Sequence, residues 1–139
     1  MKNPVRLNAG RGEVGLFLRK VIRYIVARIV LPPGSLSISL VDDTTIREIN
    51  HRYRKIDRAT DVLTFCLNEE LIWGDVYISV ETVRRNAKRQ EVLFEAELAW
   101  VVSHAFAHAL GYDHPTAKKR RVMQDFEQFL LKGFHIDAP

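Results

Sequence analysis

The sequence predicts an α+β fold in which a small mixed β-sheet of about four strands is covered by about five helices. Short segments in which apolar and polar residues alternate indicate strands that are buried on one face. Longer segments carry apolar residues at the spacing of an amphipathic helix. The order is strand, helix, strand, helix, two strands and then helices, and this order favours a mixed sheet with helices packed on it.

Four segments are predicted in the first half of the chain. Residues 5–8 form an edge strand, 13–30 a helix, 36–41 a strand and 44–53 a second helix. The Pro-Pro-Gly sequence at 32–34 ends the first helix, because proline lacks the backbone donor that a helix requires. Asp42 and Asp43 are of the residue type preferred at the N-cap of the second helix.

The second half is predicted to hold two strands followed by three helices. Residues 62–65 and 74–79 form strands joined by a connection over 66–73, and helices follow over 82–90, 91–110 and 117–131. The helix over 91–110 is apolar on several faces, which indicates a central position. Gly111 lies where a C-terminal cap is expected, and Thr116 can cap the last helix. Five residues of that last helix are expected to face the core: Val122, Met123, Phe126, Phe129 and Leu130.

Length and composition limit the class of protein. The 139 residues fit one domain over 1–139, and 47% hydrophobic with 27% charged residues is ordinary for a globular protein. The single cysteine, Cys66, excludes an internal disulfide and a Cys-rich zinc site, so a metal would need His, Asp or Glu ligands. Cys66 itself is expected to be a buried or half-buried apolar residue.

Charge and hydropathy favour a cytoplasmic protein. The N-terminus lacks a signal-peptide pattern, and basic residues interrupt the apolar stretch over 14–31, so this stretch is not a membrane span. The net charge of +4 is compatible with a polyanionic partner but does not identify one. Two basic runs, over 84–89 and 118–121, could contact phosphates or be solvated helix faces. Neither run contains an aromatic residue, so base stacking is not predicted.

Three of the five histidines lie close together, in the sequence S-H-A-F-A-H-A-L-G-Y-D-H over 103–114. His104 and His108 are four residues apart, which places both imidazoles on one face of a helix. Gly111 can adopt the positive φ that reverses the backbone and brings His114 back over that face. Three imidazoles with a fourth position open to solvent are typical of a catalytic zinc site. The sequence therefore predicts one metal ion at the end of the central helix.

The same histidine spacing occurs in zinc peptidases with the signature H-E-x-x-H-x-x-G-x-x-H. The glutamate of that signature is the general base of the peptidase, and its position here is Ala105. A metallopeptidase is therefore the less favoured interpretation, although metal binding is unaffected. His51 and His135 have no such neighbours and are interpreted as surface residues.

Two long motifs carry a resemblance to a known family. Residues 104–114 read H-A-F-A-H-A-L-G-Y-D-H, and residues 50–65 read N-H-R-Y-R-K-I-D-R-A-T-D-V-L-T-F. They resemble the H-G-x-L-H-L-x-G-Y-D-H and N-x-x-Y-R-x-x-D-x-P-T-D-V-L-S-F signatures of the YbeY family of bacterial metal-dependent endoribonucleases. Gly74, Asp75 and Val76 are similar to the family's G-D-I strand. The motifs occur in the family's order, and the resemblance covers nearly the whole chain.

The resemblance implies a metallo-hydrolase with one zinc ion (Zn2+) held by His104, His108 and His114. It implies cleavage of single-stranded RNA in ribosomal RNA maturation and ribosome quality control. Arg54 falls on the family's functional arginine, so Arg54 and His114 are the expected catalytic residues. An arginine there could hold a phosphate and stabilise developing charge. The implied partners are ribosomal RNA, the small ribosomal subunit, and ribosomal proteins or assembly GTPases, with no membrane partner.

The chain could instead be a non-catalytic ribosome-assembly factor that binds RNA and uses zinc to stabilise its helix. Nickel, copper and iron also accept imidazole ligands. Asp113 could orient a histidine or cap the turn after Gly111, and Asp61 is expected to bind loop backbone. Five residues depart from the family pattern: Ala59, Cys66, Ala105, Ala107 and Ala109. The alanines of the histidine helix should affect the packing behind that helix and the width of the cleft, but not the ligands.

Overall fold

The computed structural model describes residues 5–31, 33–69 and 72–136. Within them the chain forms four strands and five helices, and the predicted α+β fold is confirmed. The strands are β1 (Val5–Asn8), β2 (Ser35–Val41), β3 (Val62–Glu69) and β4 (Ile72–Ser79). The helices are α1 (Glu13–Arg28), α2 (Asp43–Arg54), α3 (Val80–Gln90), α4 (Phe94–Ala109) and α5 (Ala117–Leu131).

The strands form one mixed sheet in the order β1-β2-β4-β3. β1 is parallel to β2 and β2 is parallel to β4, whereas β3 is antiparallel to β4. β1 and β2 are joined through α1, as a parallel pair requires, and the short connection from β3 to β4 permits only an antiparallel pair. At the centre of the sheet Ile38 of β2 pairs with Val76 of β4, and both are fully buried.

Helix α4 lies at the centre of the helical layer and packs against β3, α1, α3 and α5. Its interior position was predicted from its several apolar faces and is confirmed. The buried residues of α4 are Glu97, Leu98, Ala99, Val101, Val102, Ser103, Ala105, Phe106 and Ala107. Because neighbours hold the helix on several sides, its rotation about its own axis is determined by the core.

Two predicted N-caps are confirmed. Oδ1 of Asp42 accepts a hydrogen bond from the backbone N–H of Thr45 at 2.8 Å at the start of α2. Oγ1 of Thr116 accepts one from the backbone N–H of Lys119 at 3.1 Å at the start of α5. Each bond satisfies a backbone donor that the first turn of a helix leaves unpaired.

Most of the apolar stretch over 14–31 lies in α1. One face of this helix packs on the core, where Leu18, Val21 and Ile25 are fully buried. Its basic residues Lys20 and Arg23 are exposed. The helix ends at Arg28, two residues before the predicted end, because the next residue is extended. Pro32, which was expected to stop it, lies outside the described residues. In the part of the chain that the structure describes, no helix is both long and apolar enough to cross a membrane.

The hairpin of β3 and β4 is longer than predicted. The sequence predicted a connection over 66–73, but β3 continues to Glu69 and β4 begins at Ile72, and these two residues are paired. Backbone pairing with the partner strand extends both strands beyond the segment whose residue types identify them. Cys66 consequently lies in a strand and is exposed, so the expectation that it is buried or half-buried is wrong.

The last two helices also differ in detail from the prediction. α4 begins at Phe94 and not at 91, because Glu91 ends α3 in a left-handed conformation with φ 58°. On α5, Met123 and Leu130 are buried as predicted, whereas Val122 and Phe129 are 50% and 45% exposed. The buried face of α5 is therefore narrower than its apolar residues suggested.

Asp43 joins the start of α2 to β4 and α3. Its Oδ1 accepts hydrogen bonds from the hydroxyls of Ser79 and Thr82, both at 2.6 Å. Its Oδ2 lies 2.8 Å from Nη1 of Arg85. Burial alone raises the pKa of Asp43, but the hydrogen bonds from Arg85, Ser79 and Thr82 outweigh burial and lower it to about 2. The ionised carboxylate therefore stabilises the folded chain.

We expect Asp43→Asn to lower the free energy of unfolding by about 1–2 kcal/mol at pH 7. The folded pKa lies below the unfolded value, so this stabilisation is present above about pH 4 and is lost as the pH falls towards about 2. Urea unfolding at both ends of this range measures the change. Asp57→Asn is the control, because the ion pair of Asp57 with Arg47 is exposed on both sides and is screened by solvent, so its loss should change the free energy of unfolding little. If Asp43→Asn lowers the free energy of unfolding by the same amount at both pH values, the ionised Asp43 carboxylate does not have the proposed role.

Candidate functional site

Helix α4 and the turn that follows it carry the three clustered histidines. His104 and His108 lie one turn apart near the end of α4. Gly111 has a φ of +100°, and its N–H donates to the carbonyl oxygen of His108 at 3.0 Å. A side chain would strain the backbone at this φ, so glycine makes the reversal possible. The turn brings His114 back towards the helix, as the sequence predicted.

The three imidazole rings form one cluster. The ring centroids of His104 and His108 are 4.6 Å apart, those of His108 and His114 5.3 Å, and those of His104 and His114 6.2 Å. Three imidazoles that share one tetrahedral zinc ion at the usual zinc–nitrogen distance have ring centroids about 5 Å apart. The side chain of His114 is 50% exposed and that of His104 21%, so the cluster opens to solvent on the side of His114.

The cluster fits a metal ion by donor type and ring position. In residues 5–31, 33–69 and 72–136, no group of three or more His, Cys, Asp or Glu side chains is arranged to hold an ion as it stands. The ring of His104 is nearly perpendicular to those of His108 and His114. The terminal torsion of histidine is soft, so ring orientation can change without movement of the backbone. The backbone thus brings the three rings together, and the assignment of all three as metal ligands stays a prediction.

Glu127 of α5 orients His104, and this residue was not predicted from the sequence. Its Oε1 lies 3.3 Å from Nδ1 of His104, and Glu127 is only 5% exposed. A carboxylate partner at Nδ1 favours the tautomer in which Nε2 is free to act as a ligand. The signal in the sequence is an acidic residue between Met123 and Leu130 at helical spacing, on the face of α5 that is buried.

Asp113 contacts both the turn and the histidine that follows it. Its Oδ1 accepts a hydrogen bond from the backbone N–H of His114 at 2.8 Å and lies 3.5 Å from Nδ1 of that residue. The hydrogen bond from the His114 N–H is the largest of the effects that hold the pKa of Asp113 below its usual value. Asp113 therefore combines the two roles that the sequence left open.

His108 is set up to stay neutral. Burial is the main cause that lowers its pKa, and the neighbouring rings of His104 and His114 lower it further. The neutral imidazole is the form that binds metal ions. The environment of His108 thus favours a ligand at neutral pH.

Arg54 ends α2 and lies against β3. Its Nη2 donates to the carbonyl oxygen of Thr64 at 3.2 Å, and its guanidinium carbon is 5.4 Å from the ring centroid of Phe65. Cys66, the next residue of β3, has its Sγ 3.4 Å from the carbonyl oxygen of His108. Desolvation raises the pKa of the Cys66 thiol, and the positive charge of Arg54 opposes that rise. Arg54 is thus connected through β3 to the histidine helix.

Three alanines of α4 depart from the family pattern: Ala105 stands in place of a glycine, and Ala107 and Ala109 stand in place of leucines. Ala105 and Ala107 are fully buried, and Ala109 is half-buried and packs against the hydrophobic core. A Cβ added at Gly74 of β4 would lie 3.6 Å from the Cβ of Ala109. These small side chains let α4 approach the sheet closely.

The two basic runs differ in their partners. In α3, Arg85 pairs with Asp43, and the guanidinium carbon of Arg84 lies 4.1 Å from the ring centroid of Phe94. In α5, the cations over 118–121 are exposed and form no ion pair with another described residue. The run in α3 is therefore partly structural, whereas the run in α5 is free to meet an anion.

The remaining polar residues singled out in the sequence have structural or surface roles. Oδ1 of Asp61 accepts a hydrogen bond from the backbone N–H of Val62 at 2.8 Å, which confirms that Asp61 binds loop backbone. His51 and His135 are exposed, as predicted. Neither of them belongs to the cluster around His104.

Comparisons with known proteins identify the family to which the chain is similar. Residues 12–135 match the sequence model of a family described as endoribonuclease YbeY. An endoribonuclease YbeY of Desulforamulus reducens is 39% identical in an alignment of 116 residues, and the match covers 76% of this chain and 76% of that protein. One of Prochlorococcus marinus is 39% identical in an alignment of 109 residues, and the match covers 72% of this chain and 58% of that protein. The solution structure of a Thermotoga maritima protein matches with a TM-score of 0.64 and 28% identity, over 92% of this chain and 89% of that one.

We expect Glu127→Gln to weaken zinc binding about tenfold, because a neutral amide orients the His104 ring less strongly than a carboxylate. Competition with a chromophoric chelator measures the affinity. Asp125→Asn is the matched control, since it removes one negative charge from an exposed position of the same helix. Equal affinities of the Glu127→Gln and wild-type chains would contradict the orienting role.

Proposed function

The chain belongs to the YbeY family of endoribonucleases. We propose that it is a zinc-dependent enzyme that cleaves single-stranded RNA, and that His104, His108 and His114 bind the zinc ion. The observation that carries the proposal is the convergence of the three imidazole rings, with centroids 4.6–6.2 Å apart, at a site that is open to solvent. We propose ribosomal RNA as the substrate, and maturation of that RNA and ribosome quality control as the roles of the enzyme.

The three histidines would hold the zinc ion with one ring nitrogen each. Glu127 engages Nδ1 of His104, which leaves Nε2 for the metal. The lowered pKa of His108 keeps that ring neutral and able to bind. When bound, zinc supplies Lewis acidity towards water and phosphate oxygen atoms at neutral pH.

Arg54 would bind the phosphate at the cleavage site. Its guanidinium carries five N–H donors, and the single hydrogen bond to the carbonyl oxygen of Thr64 leaves others free. That bond and the ring of Phe65 hold the side chain in place, so less conformational freedom is lost on binding. A fixed positive charge beside the phosphate stabilises the negative charge that develops during cleavage. The nucleophile is either a water molecule or the 2′-hydroxyl of the RNA.

A peptidase is less well supported by the same residues. Ala105 is fully buried and occupies the place of the general-base glutamate of zinc peptidases. Among the described residues, the carboxylates of Glu127 and Asp113 contact the cluster, and each of them faces a histidine nitrogen. The zinc-loaded protein can be assayed on casein and on RNA to separate the two activities. Cleavage of RNA without cleavage of casein would argue against a peptidase.

The proposed partners follow from the proposed substrate. RNA carries one negative charge per nucleotide, and the cations over 118–121 of α5 are exposed and without ion-pair partners among the described residues. We propose that the enzyme acts in the cytoplasm and that the small ribosomal subunit is its partner. Ribosomal proteins or assembly GTPases would be further partners on that subunit.

Removal of one ligand tests the metal and the chemistry together. We expect His114→Ala to fold, because the side chain is half exposed, and to lose most of its bound zinc and its cleavage of single-stranded RNA. Zinc per chain is measured by mass spectrometry after dialysis, and cleavage with a fluorescent oligonucleotide. His51→Ala is the control, since it removes an exposed histidine outside the cluster.

The outcome of the same variant separates an enzyme from an assembly factor. If His114→Ala folds, lacks zinc and still supports ribosomal RNA maturation in cells, the catalytic proposal is wrong. The non-catalytic alternative would then be favoured, with zinc as a stabiliser of α4.

Arg54→Ala should lower kcat for RNA cleavage by about 100-fold, because it removes a preorganised positive charge at the phosphate. Zinc content should stay at the wild-type level, since Arg54 is not a proposed ligand. Arg52→Ala is the matched control, because Arg52 is an exposed arginine of the same helix turn. A loss of similar size in both variants would show that only the general charge of α2 matters.

A further inference from the structure

An exposed aromatic side chain, Trp100, lies directly beside the histidine cluster. It belongs to α4, one turn before His104, and is 44% exposed. Its indole stacks on the imidazole of His104, with ring centroids 5.2 Å apart and 23° between the ring planes. This stack covers one face of the indole, and the side chain is nevertheless exposed to solvent over much of its surface.

A cleft of about 210 Å³ connects Trp100 with the histidines. Its lining residues are Trp100, His104, His114, Arg120, Met123, Gln124 and Glu127. A second depression of about 530 Å³ shares Trp100, Gln124 and Glu127 with the first. The two form one groove between α4 and α5 that begins at the histidine cluster.

Arg120 gives this groove a free positive charge. It is exposed and forms no ion pair within residues 5–31, 33–69 and 72–136. The carboxylate in the groove belongs to Glu127, which is buried and engaged with His104. The groove therefore combines an open aromatic face with an unpaired guanidinium.

We propose that Trp100 and Arg120 form a nucleotide subsite, in which the indole stacks on a base of the RNA and the guanidinium binds a backbone phosphate. The inference rests on the proposed ribonuclease function and extends it to residues outside the metal site and Arg54. Because Trp100 touches the ring of His104, the bound nucleotide is a neighbour of the one that is cleaved.

The chemistry of the subsite accounts for a preference for single strands. A base in a duplex is paired and stacked on its neighbours, so its face is not available to the indole. Every base has a π-face, and a phosphate contact carries no sequence information. Trp100 and Arg120 would therefore select unpaired RNA without selecting a particular base.

The fluorescence of Trp100 reports on this stacking directly. Trp73 is the other tryptophan, and its Nε1 donates to the carbonyl oxygen of Pro33 at 3.1 Å, outside the groove. In a Trp73→Phe background, we expect saturable quenching by a 2′-O-methyl hexauridylate, which resists cleavage. RNA that binds without quenching overturns the subsite alone, whereas the absence of any RNA binding also overturns the proposed substrate.

Substitutions of Trp100 separate base stacking from a structural role. Trp100→Leu should lower the affinity for the hexauridylate about tenfold, and Trp100→Phe should keep it within about threefold of wild type. An abasic oligonucleotide of the same length should bind Trp100→Leu and wild type equally. Zinc content is measured in each variant, because Trp100 contacts His104. The stacking role is overturned if Trp100→Leu loses as much affinity for the abasic oligonucleotide as for the hexauridylate, or if it loses no affinity for the hexauridylate. The metal-site proposal would stand in either case.

The phosphate contact is tested through the dependence of binding on salt. Arg120→Gln should reduce the slope of log affinity against log salt by about 0.7, the value for one phosphate contact on a single strand. Arg121→Gln is the matched control, since Arg121 is exposed but is not among the lining residues of the cleft. Equal changes of slope in both variants would overturn the assignment of Arg120.

Discussion

The burial of helix α4 is the constraint on which the arrangement of the site depends. β3, α1, α3 and α5 hold this helix, and Ala105 and Phe106 are fully buried between the two histidines of its last turns. A helix fixed on several sides by close packing can neither rotate nor slide, because its neighbours fill the space around it. The directions in which His104 and His108 leave the helix are therefore determined by apolar residues that take no part in the chemistry.

Two carboxylates at the edge of this core, those of Glu127 and Asp43, are kept there by partners. A buried carboxylate is unfavourable unless it is paired, and Glu127 faces the ring of His104. The same rule applies far from the site, where Asp43 accepts hydrogen bonds from two hydroxyls and pairs with Arg85. In both places the polar side chain joins elements of the fold that are distant in sequence. Glu127 differs in that its partner also belongs to the proposed metal site, so packing of α5 and orientation of the ring depend on one contact.

Residues close in sequence could be predicted, and contacts between distant elements could not. The spacing of His104 and His108 and the position of Gly111 determine the cluster locally, because helix geometry and the φ freedom of glycine are properties of short segments. Glu127 was missed because its partner lies on another helix. Cys66 was misplaced because cross-strand pairing extends β3 beyond its local pattern. The family resemblance supplied Arg54, which no spacing within the chain identifies.

The basic run of α5 shows why composition is a weak guide to an RNA-binding surface. In the sequence it contains no aromatic residue, so stacking was not predicted, yet the fold places Trp100 of α4 in the same cleft as Arg120. In the comparable run of α3, one arginine pairs with Asp43 and another lies over the ring of Phe94. A net charge of +4 does not distinguish these two runs. Their difference lies in which cations remain unpaired and which of them share a groove with an open aromatic face, and both are properties of tertiary packing.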